Sequence, residues 1–173
     1  MADEWEGIVK DWENIPIETY TFIFSQVKDR YEEYMSESES ITNKTFTLAA
    51  ITVAGLSAFA GFKFGKAPNP IFFNVVMLVY GVNILCIFNL IFPKSIIQRG
   101  SPPKSIFKDY LDDPLYEGDE KTKLAYYMEL RKYQDRMDVM DERLTTRKYV
   151  YVFLLLTTMA SIVLTAIFIR STI

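Results

Sequence analysis

Apolar residues are arranged along this chain in two different patterns. Over 46–62, 71–92 and 149–169 they are nearly continuous, and no Asp or Glu interrupts them. About 20 residues of helix, rising 1.5 Å each, cross a hydrocarbon core of roughly 30 Å. The second and third runs have that length. The first reaches it by including Lys63, whose long stem can carry its ammonium to the interface. The pattern predicts an all-α membrane protein with transmembrane helices at 46–64, 71–92 and 149–170.

Elsewhere the apolar positions are periodic. Tyr20, Phe24, Val27, Tyr31, Tyr34, Ser38 and Ile41 alternate at spacings of four and three, an a/d seam built from aromatic residues. A second seam reads Tyr126, Leu130, Tyr133, Met137, Met140 and Leu144. Neither meets a helix breaker before the apolar run that follows it. The expectation is two long helices outside the bilayer, at 18–45 and 119–148, each continuous with a span. They would lie parallel in a bundle made within one subunit or between several. Asp119 or Glu120 would start the second, after a turn at Glu117 and Gly118. Ahead of the first, Trp5, Ile8, Val9 and Trp12 predict a short amphipathic helix within 1–17. Its polar face is acidic (Asp3, Glu4, Glu6, Asp11, Glu13), which suits docking on protein better than lying on anionic lipid.

Charge sets the expected orientation. The link at 65–70 is short and holds Pro68 and Pro70, so the first two spans form a hairpin. This puts the N-terminal segment and the 94–148 segment on one face, with sixteen of the nineteen Lys and Arg residues. The positive-inside rule then places the N-terminus in the cytoplasm and the C-terminus outside, in an inner (cytoplasmic) membrane. The single cysteine, Cys86, permits a reducing compartment and excludes an intrachain disulfide.

Polar residues inside the spans are the first candidates for function. Asn83 sits near mid-depth and must face another helix or water, because an amide facing lipid loses several kcal/mol of hydrogen bonding. Thr157, Ser161 and Thr165 fall at i, i+4 and i+8 of the third span. One reading of this stripe is interhelical hydrogen bonding. The other is the lining of a narrow polar path at the centre of a homo-oligomer, since three spans cannot enclose a pore. No acid or histidine lies within a span, so such a path would be passive. Ala50, Ala54 and Ala58 give the first span a small-residue face suited to close helix approach.

The chain contains no histidine, which removes Ser-His and Cys-His nucleophile pairs and most zinc sites. No phosphate loop or dinucleotide fingerprint occurs, and the acidic cluster Asp112, Asp113, Glu117, Asp119, Glu120 lacks EF-hand spacing. No enzyme activity, cofactor or metal is expected. A basic collar remains: Lys94, Arg99, Lys104 and Lys108 in the basic-then-acidic loop at 93–118, with Arg143, Arg147 and Lys148 below the third span. It reads as positive-inside anchoring on anionic lipid, or as a site for a nucleotide or oligonucleotide.

A cytoplasmic helix through Arg30 and Tyr31, a membrane hairpin, and a basic helical segment through Tyr133 together occupy 27–147. This layout resembles the SLATT-type small membrane effectors of bacterial nucleotide-linked anti-phage defence. The third span departs from the simplest, two-span members. The resemblance implies an oligomeric pore that a nucleotide-derived ligand silences or triggers, acting beside the nucleotide-producing enzyme and collapsing the membrane potential. It transfers no site residue. The competing expectation is a non-conducting scaffold that recruits a partner through its cytoplasmic helices.

Overall fold

The structure is a computed structural model and describes residues 12–63, 70–92 and 118–172. The amphipathic helix expected within 1–17 and the loop expected at 93–118 lie almost wholly outside the described residues. Among the described residues the regular structure is entirely helical: a 3-10 turn at Trp12–Asn14, α1 at Ile17–Lys63, α2 at Pro70–Ile91 and α3 at Asp119–Thr172. These three helices run for 47, 22 and 54 residues. Each is long and apolar enough to cross a membrane, so the chain is a multi-pass membrane protein.

Local chemistry accounts for the helix starts. The Pro16 carbonyl accepts the amides of Thr19 (3.1 Å) and Tyr20 (3.4 Å), closing the first turn of α1. Pro70 opens α2 at the one position where a missing N–H costs nothing. Gly118 takes φ +54°, a left-handed conformation that glycine adopts without a Cβ penalty. Asp119 and Glu120 follow it in the first turn of α3, against the positive end of the helix dipole.

The chain divides into two compact units. One comprises residues up to Met35 together with Ser95–Glu142, and the other Ser36–Lys94 with Arg143–Ile173. In the first unit α1 and α3 lie parallel and close on an aromatic ladder. Phe24 meets Tyr126 (5.6 Å between centroids) and Tyr133 (5.5 Å), and Tyr31 meets Tyr133 (5.7 Å), all edge to face. That geometry aligns ring edges with ring faces and adds about 0.5–1.5 kcal/mol per pair beyond area burial. Arg136 caps the Tyr133 ring at 5.6 Å, and the Tyr34 hydroxyl donates to Asp141 Oδ1 at 3.2 Å. Burial, reinforced by Tyr127, pushes the Tyr20 phenol above its ordinary pKa. The parallel pair is thus made within one subunit.

Tyr133 sits at the centre of this ladder, so Tyr133→Ala will remove two edge-to-face pairs and leave a cavity, costing about 3–5 kcal/mol. Denaturant unfolding of the full chain in detergent checks this against Tyr149→Ala, whose ring is 74% exposed and should shift the midpoint little.

In the second unit α1 and α3 are parallel and α2 runs against both. The buried side chains recur at steps of three, four or seven residues: Ile41, Thr45, Thr52 and Phe59; Val76, Tyr80, Asn83 and Leu90; Leu154, Thr158, Ser161, Thr165 and Phe168. This spacing is that of left-handed, knobs-into-holes packing. Four phenylalanines gather near the ends of α1 and α3, with Phe59 4.8 Å from Phe168 and 5.2 Å from Phe73, and Phe72 stacked on Phe168 at 5.8 Å. The outer faces of α2 and α3 carry large apolar side chains such as Leu78, Leu85, Leu156 and Met159, a surface that hydrocarbon tails solvate.

Candidate functional site

The core of the second unit is polar at its middle. Thr52, Asn83, Thr158, Ser161 and Thr165 are all buried, at 0–6% exposure. Their depth follows from register. Phe59 on α1 meets Phe168 on α3 at the same residue offset as Ser38 meets Arg147. At that offset Thr52 lies level with Ser161, and the Asn83 amide donates to Ser161 Oγ at 3.5 Å. Thr52, Asn83 and Ser161 therefore share one layer. One turn further along α3, the Tyr80 hydroxyl and Thr165 Oγ1 hydrogen-bond at 3.0 Å. Ser161 Oγ itself donates to the Thr158 carbonyl at 2.7 Å.

This layer is under-satisfied. Thr52 Oγ1, Asn83 Oδ1 and Thr158 Oγ1 are buried without a hydrogen-bond partner among the described residues. None of the groups in it titrates near neutrality, so it can solvate a water or a small ion but cannot relay a proton by changing charge.

A second polar cluster lies where the apolar part of α3 begins. The Arg147 guanidinium donates from Nη1 to Ser38 Oγ (2.5 Å) and from Nη2 to Thr42 Oγ1 (2.8 Å) and the Leu90 carbonyl (3.0 Å). It ties α3 to α1 and to the last turn of α2 at once. Its Nε is buried and has no partner among the described residues. Withdrawal from water draws its pKa below the ordinary arginine value, though arginine remains protonated in proteins. The neighbouring Lys148 is different: half exposed, it pairs with Glu37 at 2.7 Å.

The candidates read from the sequence separate accordingly. Asn83, Ser161 and Thr165 come together inside the bundle of a single chain. Thr157 does not join them. It is half-buried, and its hydroxyl donates to its own helix at Phe153 O (3.0 Å) and Leu154 O (3.1 Å). Thr158 takes the inward position, at 2% exposure. Of the collar, Arg143 and Lys148 are exposed and Arg147 is turned inward; Lys94, Arg99, Lys104 and Lys108 lie outside the described residues. Grouping Arg147 with the collar missed its inward turn, although a signal was present: the seam through Met140 and Leu144 continues three residues on to Arg147 and four more to Tyr151.

Ser161 and Thr157 should therefore respond differently to enlargement. Ser161→Leu forces a branched side chain into a packed layer and will cost about 1–3 kcal/mol or more. Thr157→Leu will shift stability by no more than about 0.5 kcal/mol. Thermal midpoints in a single detergent distinguish the two. Comparison of the chain with family models, with characterised proteins and with solved structures finds no match.

Proposed function

We propose that the protein is an oligomeric membrane pore, an ion-channel effector controlled by an anionic ligand on its cytoplasmic side. The observation that carries this reading is the mid-bundle layer of Thr52, Asn83 and Thr158, with three buried polar atoms left unpartnered. Each such atom costs about 1–3 kcal/mol, and a bundle that served only as an anchor would be more stable with apolar residues there. A layer that must meet water in another conformation has a reason to retain them. In the present conformation the seam is closed, with Tyr80 and Asn83 bonded across to α3.

Self-association is supported by the outer face of α1. Beside the exposed Phe46, Ile51 and Val53, α1 exposes Ala50, Ala54, Ala58 and Gly61, small residues at steps of four and three that let a second backbone approach closely. Orientation rests on the distribution of positive charge. The anti-phage setting and the nucleotide or oligonucleotide character of the ligand rest on the SLATT-type resemblance alone.

The test is conduction. The full chain reconstituted in planar bilayers should give discrete currents when nucleotides or oligonucleotides are added on the side of the N-terminus, and should depolarise cells when triggered. Silence under every such addition would favour the second reading, a non-conducting scaffold. The observation on that side is that Tyr80 and Thr165, and Asn83 and Ser161, find their partners within one protomer, as ordinary packing would have it.

A further inference from the structure

We propose that Arg147, Ser38 and Thr42 form a site for a phosphoryl oxyanion, and that filling it releases the end of α2. The inference builds on the anionic-ligand control proposed above and assigns that control to particular atoms.

A guanidinium partly withdrawn from water is ordinarily matched by a carboxylate, because a charge that loses hydration without gaining an opposite charge is destabilised. Arg147 has two hydroxyls and one backbone carbonyl instead, all neutral, and no carboxylate pairs with it among the described residues. Glu37, one residue before Ser38, is held by Lys148 at 2.7 Å. Nor can the charge be shed by deprotonation. A buried Nε with no acceptor among the described residues adds an unused donor.

Neutral acceptors are the weaker partners for such a group. Two phosphoryl oxygens would make charge-assisted, bidentate bonds roughly twice as strong as neutral ones. Ser38 and Thr42 are one turn apart on α1, where Thr42 Oγ1 donates to the Ser38 carbonyl at 3.2 Å. The Ser38 hydroxyl can donate to an oxyanion, and that of Thr42 can do so by leaving the carbonyl. Ser38, Thr42 and Arg147 are half-buried, so the cluster is reachable from solvent. The third acceptor makes the site mechanical. Leu90 lies in the last turn of α2, whose final carbonyls have no intrahelical partner. An anion that recruits the guanidinium takes it from Leu90 O. The bond between α2 and the rest of the unit at this end is then lost, while Tyr80–Thr165 and Asn83–Ser161 hold the middle.

A soluble ligand and a lipid headgroup would present the same phosphoryl chemistry, and two arms of one experiment separate them. The full chain would be placed in phosphatidylcholine nanodiscs and titrated with inorganic pyrophosphate. In parallel it would be placed in nanodiscs containing phosphatidylglycerol. Hydrogen exchange at the last amides of α2, where Phe92 N donates to Phe88 O, reports release of that end. Pyrophosphate should raise exchange there at least severalfold in wild type. Arg147→Gln should already exchange fast and bind pyrophosphate at least tenfold more weakly. Ser38→Ala with Thr42→Val retains the charge and serves as the folding control; it should bind several-fold more weakly. A response to phosphatidylglycerol alone assigns the site to lipid.

Unchanged α2 exchange in both arms overturns the proposal, as does equal pyrophosphate binding by wild type and both variants. A channel whose currents still respond to its ligand in Arg147→Gln would overturn this site and leave the pore intact. Pyrophosphate-dependent release in a protein that never conducts would do the reverse.

Discussion

Asn83→Asp will leave the membrane unit about 3–5 kcal/mol less stable than wild type at neutral pH. The two side chains have nearly the same shape, so packing is not the variable. Asn83 is fully buried, donates to Ser161 through its amide nitrogen and already holds one unpartnered oxygen. The substitution removes the donor and adds a negative charge to a layer that holds no cation among the described residues. The cost belongs to the charged form alone. A protonated carboxyl is neutral and can again donate to Ser161, so the deficit should shrink as the pH falls. Asn83→Leu should behave differently. It forfeits one long hydrogen bond but also removes an orphaned acceptor, and its cost should fall near about 1 kcal/mol and be independent of pH. Thermal midpoints of the three proteins at acid and at mildly alkaline pH in the same detergent measure the effect. If Asn83→Asp were as stable as wild type in mild alkali, the layer would already be open to water. That would count for a standing pore and against the closed seam described above.

The sequence made the spans legible by length alone, since continuous apolar runs have few other uses. It also made the aromatic seams legible, because polar residues between the seam positions reveal the period. Inside the spans that contrast disappears. With apolar residues on every side, the inward face has to be read from a handful of Thr, Ser and Asn side chains, and their spacing is ambiguous. Thr157, Ser161 and Thr165 look like a stripe at intervals of four. Each step of four residues turns about 40° past a full helical turn, however, so the stripe drifts round the helix. Thr158, Ser161 and Thr165, at three then four, stay on the face that the 3.5-residue packing period keeps turned inward. Arg147 was obscured differently. Grouped with its basic neighbours it reads as surface charge, whereas its place three residues after Leu144 puts it on the seam. Partners on other helices, such as Ser38 and the Leu90 carbonyl, require the three-helix register, which no local pattern carries.

Gly55 offers the sharpest steric test of that register. It faces Tyr80 across the α1–α2 contact, and a Cβ placed on it would lie 2.5 Å from the Tyr80 hydroxyl oxygen and 3.4 Å from Cζ. Two effects of Gly55→Ala therefore oppose each other. Alanine is favoured over glycine in a helix by about 1 kcal/mol. Against this, the tyrosine must withdraw from a site where it is 1% exposed and bonded to Thr165, with an overpacking cost of about 1–3 kcal/mol in addition to the lost hydrogen bond. The steric term should win, and Gly55→Ala will destabilise by about 1–3 kcal/mol. Gly61→Ala and Gly81→Ala meet nothing within 4 Å and should be neutral or slightly stabilising. The decisive variant is the double one. Tyr80→Phe alone removes the hydroxyl, strands Thr165 and costs about 1 kcal/mol. Combined with Gly55→Ala it removes the atom in conflict, so the pair should be more stable than Gly55→Ala alone, a coupling of about 1–2 kcal/mol. Thermal or denaturant unfolding in one detergent closes the cycle. Strict additivity would mean that Gly55 and Tyr80 do not meet, and the register that brings Thr52, Asn83 and Ser161 into one layer would fall with it.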